Sequence, residues 1–333
     1  MSLSVQAVRA LREGAPAARR RALAKAITLL ESSLPAHRAQ ADALLTEALP
    51  FSGGAIRVGI SGVPGVGKSS FLEALGLHLV QQGHTVAVLA VDPSSSVSGG
   101  SILGDKTRME KLAIEPQAFI RPSPSRGTLG GVASHTREVM RLCEAAGFDV
   151  VLVETVGVGQ SEVAVAGMTD CFALLQLPNA GDDLQALKKG VMELADLIFI
   201  NKADLDPNAA TRARAQIVSS LRLHNQAHGA QWLPEVLQGS ALNGQGVAEF
   251  WAAVLRHQAH QKDGGQFEAR RHAQDLDWLQ ERIEEGLHQA FAAHPAVARR
   301  WPQLKDDVRG GRMAASTAAR ALLNDFLGVK THG

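Results

Sequence analysis

The sequence predicts an α/β fold in which a mainly parallel sheet carries helices on both faces, flanked by helical extensions at both ends. From residue 56 to about 256, short apolar runs alternate with helical stretches, a pattern typical of parallel strands buried on both faces. Helical periodicity marks the two ends, and Pro50, Gly53 and Gly54 separate the first of them from the sheet. The expected parts are an N-terminal helical extension, an α/β domain and a C-terminal helical region, at 1–50, 51–260 and 261–333.

Six apolar runs supply the predicted strands, at 56–61, 85–92, 149–154, 171–177, 197–201 and roughly 232–239. In open parallel sheets, ligands bind beyond the carboxyl ends of the strands. Four polar residues lie at or just past such ends, namely Ser61, Asp92, Glu154 and Asn201. The sequence therefore predicts a binding site along this edge of the sheet.

The C-terminal region has the pattern of an amphipathic helix followed by a final helix around 314–327. One apolar stripe runs along the first of these helices and consists of Leu276, Leu279, Ile283, Leu287 and Phe291. Such a stripe packs more often against its own domain than against a partner, so we expect it to be covered within the chain.

Composition excludes several classes of protein. Of 333 residues, 45% are hydrophobic and 20% are charged, and the formal net charge is +1, so neither a nucleic-acid partner nor a membrane surface is expected. Two cysteines, Cys143 and Cys171, form neither a disulfide framework nor a metal cluster by number, and we expect reduced, half-buried thiols. Without a secretory signal or a run of about 20 apolar residues, the chain is expected to be cytoplasmic.

The most specific motif is G-V-P-G-V-G-K-S at 62–69, directly after the first predicted strand and before a predicted helix. It matches the P-loop pattern, in which backbone N–H groups surround a β-phosphate. Lys68 reaches the β- and γ-phosphates, and the Ser69 hydroxyl ligates Mg²⁺. A glycine-rich turn that carries a lysine by chance is the weaker interpretation. The expected nucleotide contacts are Gly62, Val63, Pro64, Gly65, Val66, Gly67, Lys68, Ser69 and Ser70.

A second motif selects the base. Asn201, Lys202 and Asp204 form N-K-x-D at the end of a predicted strand, where Asp204 accepts the ring N–H and the exocyclic amine of guanine. Adenine cannot offer that donor pair, so the predicted ligands are GTP and GDP. The tripeptide at 240–242 suits the loop whose backbone N–H contacts the guanine carbonyl oxygen, with Ser240, Ala241 and Leu242 as its residues.

Three acids and a glycine are candidates for the γ-phosphate and metal side of the site. Asp92 ends a predicted strand, where it either faces Mg²⁺ or forms an Asx turn before Pro93. Asp105 follows a loop rich in serine and glycine. Glu154 ends the strand V-V-L-V-E and is expected to face the water shell of Mg²⁺, while Gly157 offers its backbone N–H to the γ-phosphate.

Taken together, the motifs resemble the MeaB/MMAA (ArgK-type) group of P-loop GTPases, which act as chaperones of adenosylcobalamin-dependent acyl-CoA mutases. The resemblance covers roughly residues 20–260. It rests on G-V-P-G-V-G-K-S, V-D-P-S-S-S, G-G-S-I-L-G-D-K-T-R-M, R-P-S-P-S-R-G-T-L-G-G-V, V-E-T-V-G-V-G-Q-S-E and G-D-D-L-Q-A-L-K-K-G-V-M-E-L-A-D.

The resemblance implies a homodimer joined by the C-terminal helical arm, in which GTP hydrolysis gates the delivery of adenosylcobalamin and the release of damaged cofactor. It also implies catalytic and switch roles. Asp92, Asp105 and Glu154 would surround Mg²⁺ and the attacking water, and Asp182, Gln185 and Lys188 would couple docking of the mutase to hydrolysis. With Lys68, Lys188 would complete the catalytic set.

Slow hydrolysis is expected without a partner, because Val158 stands where many small GTPases place the glutamine that orients water. The client mutase is open between methylmalonyl-CoA mutase and relatives such as 2-hydroxyisobutyryl-CoA mutase. Two alternatives have weaker support. A metallochaperone for a nickel enzyme would need an N-terminus rich in histidine or cysteine, but residues 1–60 contain one histidine, His37, and no cysteine. A kinase of a transport-binding protein would need a base for its acceptor, and the motifs show none.

Overall fold

The computed structural model describes residues 3–32, 34–91, 109–121, 129–155, 161–179, 189–228 and 232–329. The chain divides into two compact units, Met1–Gln274 and Asp275–Gly333. No helix in the described ranges is both long enough and apolar enough to span a membrane.

The first unit is built on a seven-stranded sheet with the order β3-β2-β4-β1-β5-β6-β7. All of its pairings are parallel, which confirms the predicted fold class. The strands are β1 (Ile56–Gly62), β2 (Val86–Val91), β3 (Ala118–Arg121), β4 (Val150–Thr155), β5 (Cys171–Gln176), β6 (Leu197–Ile200) and β7 (Glu235–Gln238).

Helices cover both faces of this sheet. Within β4, Val151 and Val153 enter the hydrophobic core on one face, whereas Val150 and Leu152 enter the core on the other. The helices are α1 (Leu3–Glu13), α2 (Pro16–Leu30), α3 (Pro35–Ala48), α4 (Lys68–Gln81), α5 (Glu110–Ala113), α6 (Leu129–Ala145), α7 (Ser161–Ala166), α8 (Lys189–Leu194), α9 (Pro207–His228) and α10 (Val247–Asp263). Helix α11 (Gln266–Ala293) follows.

The three N-terminal helices pack on the same face as α6. Leu11, Leu23, Ile27 and Leu44 are fully or almost fully buried in that core, together with Leu142 of α6. Burial of a leucine or isoleucine side chain contributes about 1.5–3 kcal/mol, so these contacts hold the helices firmly on the sheet. The assignment of 1–50 as a separate extension stays a prediction.

The amino ends of the strands carry buried charges that are paired. Arg57 of β1 donates to Glu144 of α6 from Nε, at 2.7 Å, and Arg271 of α11 donates to both carboxylate oxygens of Asp170, at 2.8 and 2.7 Å. Arg271 also donates to the carbonyl oxygens of Gly53 and Ala55. Burial alone lowers the pKa of Arg271, but the hydrogen bond and charge of Asp170 outweigh it, and the pKa is raised.

The second unit contains the rest of α11 with α12 (Pro295–Arg309) and α13 (Ala315–Leu327). Its small core consists of Val297, Leu304, Ala318 and Leu322. The expectation that the apolar stripe is covered within the chain is wrong for four of its residues, whose exposed fractions are 65% for Leu276, 56% for Leu279, 54% for Ile283 and 58% for Leu287. Phe291 alone of the stripe packs against the small core.

Candidate functional site

The P-loop lies at the carboxyl end of β1 and leads into α4. Gly67 adopts a left-handed conformation with φ of +97°, and a Cβ there would lie 2.7 Å from Nδ2 of Asn201. A larger residue at this position would strain the backbone and would have to displace the Asn201 side chain. The Phe71 N–H donates to the Gly67 oxygen at 2.9 Å, which starts the helix.

Lys68 folds back over the loop. Its Nζ donates to the carbonyl oxygens of Gly62, at 2.7 Å, and Val63, at 3.4 Å, and the side chain is buried. The ammonium group is thus held above the loop, where a bound phosphate group would lie. A phosphate oxygen accepts a stronger, charge-assisted hydrogen bond than a carbonyl, so the lysine is poised to exchange partners.

Ser69 and Glu154 meet next to Lys68. The hydroxyl of Ser69 donates to Oε1 of Glu154 at 3.2 Å, and Glu154 is 4% exposed. Register places Glu154 between Ile60 of β1 and Ala90 of β2. A hydroxyl and a carboxylate together are hard oxygen ligands of the kind that Mg²⁺ prefers, so these two residues fit a magnesium ion.

The guanine motif is tied to the P-loop by its side chains. Asn201 Nδ2 donates to the Val66 oxygen, and Lys202 Nζ donates to the Gly65 oxygen, both at 2.8 Å. Lys202 has φ of +60°, the only positive value among the non-glycine residues that the structure describes. Strained backbone of this kind persists where surrounding bonds fix it, and it is concentrated at binding sites. Asp204 follows on the surface.

The predicted 240–242 loop closes on the guanine motif from the other side. Ala241 N–H donates to Oδ1 of Asn201 at 3.0 Å, so in this structure that amide is engaged with the motif itself. Ser240 is 1% exposed, and its Oγ has no hydrogen-bond partner among the residues described. Leu242 is 89% exposed. A buried hydroxyl left without a partner is costly, and it fits a site that is completed by a polar ligand.

Several predicted residues lie outside the described ranges. These are Asp92, Asp105, Gly157, Asp182, Gln185 and Lys188. Of the predicted site, the structure therefore brings together the P-loop, Glu154, the guanine motif and the 240–242 loop. The role of each residue in nucleotide binding stays a prediction.

Two supporting residues were not predicted as part of the site. Thr155 donates from its hydroxyl to Oγ of Ser61 at 2.9 Å, which joins the ends of β4 and β1 beside Glu154. Gly239 comes so close to the neighbouring loop that a Cβ there would lie 2.1 Å from the Gln245 oxygen. Thr155 ends β4 and Gly239 directly follows β7, so a polar or glycine residue at a strand end was the only signal available.

Comparison with known proteins identifies the family. A profile described as "Methylmalonyl Co-A mutase-associated GTPase MeaB" matches residues 23–296. The chain belongs to the MeaB family. The MeaB-type resemblance drawn from the motifs is thereby confirmed, and with it the assignment of the chain as a GTP hydrolase that binds guanine nucleotides.

Individual relatives of this MeaB-family GTPase match over most of their length. GTPase ArgK of Escherichia coli is 46% identical over 318 residues, with 95% of each chain covered. The mitochondrial methylmalonic aciduria type A homolog of Mus musculus is 43% identical over 318 residues, covering 92% of this chain and 76% of the relative. The crystal structure of an LAO/AO transport system kinase is 38% identical, with a TM-score of 0.74 and 98% of each chain covered.

Proposed function

We propose that this GTPase is the chaperone of an acyl-CoA mutase that uses adenosylcobalamin, and that GTP hydrolysis gates delivery of the cofactor and reactivation of the mutase. The observation that carries the proposal is the match of residues 23–296 to a family described by its association with methylmalonyl-CoA mutase. The name of the mouse relative supports the same client. Methylmalonyl-CoA mutase is therefore the first candidate, ahead of 2-hydroxyisobutyryl-CoA mutase.

Nucleotide binding begins with an exchange of hydrogen bonds at the P-loop. Lys68 gives up the Gly62 and Val63 oxygens and donates to the β- and γ-phosphates instead. Backbone N–H groups between Gly62 and Lys68 and the N-terminal end of α4 add positive potential around the same phosphates. The charge that develops on the phosphate oxygens during hydrolysis is thus stabilised by groups already in place.

Ser69 and Glu154 separate when the site is filled. Ser69 would hold Mg²⁺ through its hydroxyl, and Glu154 would accept hydrogen bonds from water around the ion. Bound Mg²⁺ supplies neutralisation of charge between the β- and γ-phosphates. Because Glu154 is the penultimate residue of β4, a change in its bonding is passed directly to the chain that follows Thr155. Asp92, Asp105, Gly157 and Lys188 belong to the same proposal.

The proposed partner completes the catalytic site. We expect slow phosphate release from the GTPase alone and faster release with purified methylmalonyl-CoA mutase, by a factor of up to about 10³–10⁵ if the mutase supplies or orders a missing group. Release of phosphate from GTP is measured with and without mutase, and with an unrelated acyl-CoA enzyme as the control. If no mutase stimulates phosphate release, the chaperone proposal is wrong. Transfer of phosphate to a transport-binding protein would favour a kinase.

A variant at Glu154 tests the switch within the same assay. We expect Glu154→Ala to lower GTP hydrolysis while GDP binding is nearly unchanged, because the carboxylate acts on water and not on the base. Glu73→Ala is a control, since Glu73 lies on α4 and its side chain accepts the Lys111 N–H. Unchanged turnover of Glu154→Ala would remove Glu154 from the mechanism.

We further propose that a second copy of the chain covers the exposed stripe on α11. Leu276, Leu279, Ile283 and Leu287 repeat at intervals of three and four residues, which is the spacing that helix pairs bury. A double variant, Leu279→Glu with Ile283→Glu, should convert a dimer into a monomer in light scattering after size exclusion. Leu223→Glu is the control, because Leu223 is 71% exposed on another helix. A wild-type monomer would contradict the proposal.

A further inference from the structure

A second cluster of chemically reactive side chains lies at the opposite edge of the sheet from the P-loop. Cys171 begins β5, Asp196 directly precedes β6, and His257 lies on α10. One ligand atom from each residue lies within 4.8 Å of the others. Within the described ranges, no other three residues among histidine, cysteine, aspartate and glutamate come together in this way.

The carboxylate of Asp196 is oriented by its neighbours. Its Oδ2 accepts the Phe172 N–H at 2.8 Å, while Oδ1 lies 3.3 Å from Nε2 of His257. Arg270 approaches the two oxygens at 3.3 and 3.5 Å, longer than a good charge-assisted hydrogen bond. One oxygen is therefore fixed by the backbone, and the other lies beside the histidine.

The walls of the cluster are apolar and rigid. His257 is 1% exposed and Cys171 is 2% exposed. The ring of Trp232 packs against His257 with centroids 4.9 Å apart, and its Nε1 donates to the Asp196 backbone oxygen at 2.8 Å. A histidine held by an aromatic wall and a carboxylate held by a backbone N–H are features of pre-organised metal sites, where outer groups orient the ligands.

The donor set selects a class of metal. Thiolate, imidazole and carboxylate together are ligands of Zn²⁺ and similar transition metals, and are unlike the all-oxygen sets of Mg²⁺ and Ca²⁺. Bond lengths of about 2.0–2.3 Å to Zn²⁺ place tetrahedral ligand atoms roughly 3.3–3.8 Å apart. The Asp196–His257 separation of 3.3 Å already meets this, and the sulfur of Cys171 lies within 4.8 Å of a ligand atom of each of the other two residues.

The two anionic ligands would offset the charge of such an ion. Binding of M²⁺ breaks the S–H bond and forms S–M, and the proton leaves to solvent. Thiolate and carboxylate would then offset the two positive charges of the ion, which leaves the charge of Arg270 at the rim of the site.

We propose that Cys171, Asp196 and His257 form a binding site for Zn²⁺ or a similar divalent transition metal, separate from the nucleotide site. The ion would fasten the starts of β5 and β6 to α10. Gln261, whose Nε2 lies 3.4 Å from His257 Nε2, borders the remaining coordination position. The site is independent of the mutase proposal and holds whether or not the chaperone assay succeeds.

Co²⁺ is the probe, because a bond to thiolate gives it a charge-transfer absorption in the near ultraviolet that oxygen and nitrogen ligands do not. Full-length protein is stripped of metal, saturated with Mg²⁺ and GDP to fill the nucleotide site, and titrated with Co²⁺. We expect one thiolate-bound Co²⁺ per chain, its displacement by Zn²⁺, and a higher melting temperature with Zn²⁺. Cys171→Ala should abolish the absorption, and His257→Gln and Asp196→Asn should weaken Zn²⁺ binding by about tenfold to a hundredfold.

Two controls separate this site from other side chains. Cys143→Ala removes the other buried thiol, which lies on α6, and should leave the absorption intact. His260→Ala removes a histidine that packs on the same tryptophan but is not part of the cluster. Absence of the thiolate absorption in wild type, its survival in Cys171→Ala, or its loss in Cys143→Ala would each overturn the proposal. Should Cys171→Ala fail to fold, His257→Gln decides.

Discussion

The side of the sheet formed by the carboxyl ends of its strands, here called the carboxyl edge, and the side formed by their amino ends, the amino edge, use charged side chains in opposite ways. At the carboxyl edge, Lys68 and Lys202 donate to backbone carbonyl oxygens of the P-loop, at 2.7 and 2.8 Å. At the amino edge, Arg57 and Arg271 each form two hydrogen bonds to a buried carboxylate. The lysines donate to neutral carbonyl oxygens, which a phosphate can replace, whereas a bidentate arginine pair is geometrically specific and hard to exchange.

The difference shows that the hydrogen bonds of the carboxyl edge can be exchanged for bonds to a ligand, whereas the ion pairs of the amino edge are permanent. An ammonium held by carbonyl oxygens loses little when a phosphate takes their place. A buried arginine that loses its carboxylate is left as an uncompensated charge in a low dielectric. The carboxyl edge can therefore respond to a nucleotide while the amino edge keeps the strands and the start of α11 in register.

Three aspartates form the same kind of hydrogen bond to the backbone along the amino edge. Asp149, Asp170 and Asp196 each precede a strand directly and accept a backbone N–H from the beginning of a neighbouring strand. The donors are the N–H groups of Thr85, Arg57 and Phe172. Each aspartate thus satisfies an N–H at the margin of the sheet, where the ladder has no further partner.

The largest effect is expected from breaking the amino edge. Arg271→Met should lower the free energy of unfolding by about 3–5 kcal/mol, because Asp170 is left buried and unpaired. Arg256→Met is the matched control: Arg256 also forms a bidentate pair, with Glu235, but its side chain is 54% exposed. That pair should contribute about 0–1 kcal/mol. Equal losses in urea denaturation of the two variants would contradict the contrast between buried and exposed pairs.

Neither of these arginine pairs was predictable from the sequence, whereas most of the sheet was. The strands of the centre are continuous apolar runs, and their predicted ends agree with the structure to within two residues. The strand β3 was missed because Ala118–Arg121 is short and alternates between buried and half-buried positions at the edge of the sheet. Pairing of residue 170 with residue 271 depends on tertiary contacts that no local pattern records.

The motifs of the proposed site were easier to locate in the sequence than the packing, since phosphate and guanine chemistry require fixed spacings within short motifs. The particular atoms that join those motifs could not be predicted, namely the bond from Asn201 to the Val66 oxygen and the bond from Thr155 to Ser61. The exposed stripe on α11 shows the opposite case, because periodicity reveals an apolar face but not what covers it.

A large effect on activity without loss of stability is expected from Lys68. Lys68→Ala should reduce GTP hydrolysis by roughly 10²–10³-fold, the usual result of removing one group that stabilises developing charge. Its melting temperature should change little, because the carbonyl oxygens of Gly62 and Val63 can bond to water instead. Lys111→Ala, at an exposed lysine on α5, is the control. Loss of hydrolysis accompanied by unfolding would place Lys68 with the structural charges of the amino edge.

Base selection gives a smaller effect. Asp204→Asn should weaken GDP binding by about tenfold to a hundredfold, equivalent to a charged hydrogen bond of about 1.5–3 kcal/mol. The same variant should gain affinity for xanthine nucleotide, since an amide can donate to the carbonyl that replaces the exocyclic amine. Asp206→Asn is the control, because the side chain of Asp206 accepts the Ala209 N–H at the start of α9. Fluorescence titration with guanine and xanthine nucleotides measures both affinities. An unchanged preference for the guanine nucleotide would exclude Asp204 from base recognition.

The smallest effect tests whether the row of aspartates acts through hydrogen bonding or through buried charge. Asp149 has the same bond to a backbone N–H as Asp170, at 2.7 Å to Thr85, but its side chain is 51% exposed, and its other oxygen lies 2.7 Å from Nδ1 of His84. Asp149→Asn keeps an acceptor for that N–H and should cost less than about 1 kcal/mol, while Asp170→Asn removes the charge facing Arg271 and should approach the Arg271→Met loss. Urea denaturation of the two variants separates the contribution of the hydrogen bond to the backbone N–H from that of the buried charge. If Asp149→Asn were as costly as Asp170→Asn, capping of the strands would dominate the amino edge and the buried arginine would be secondary.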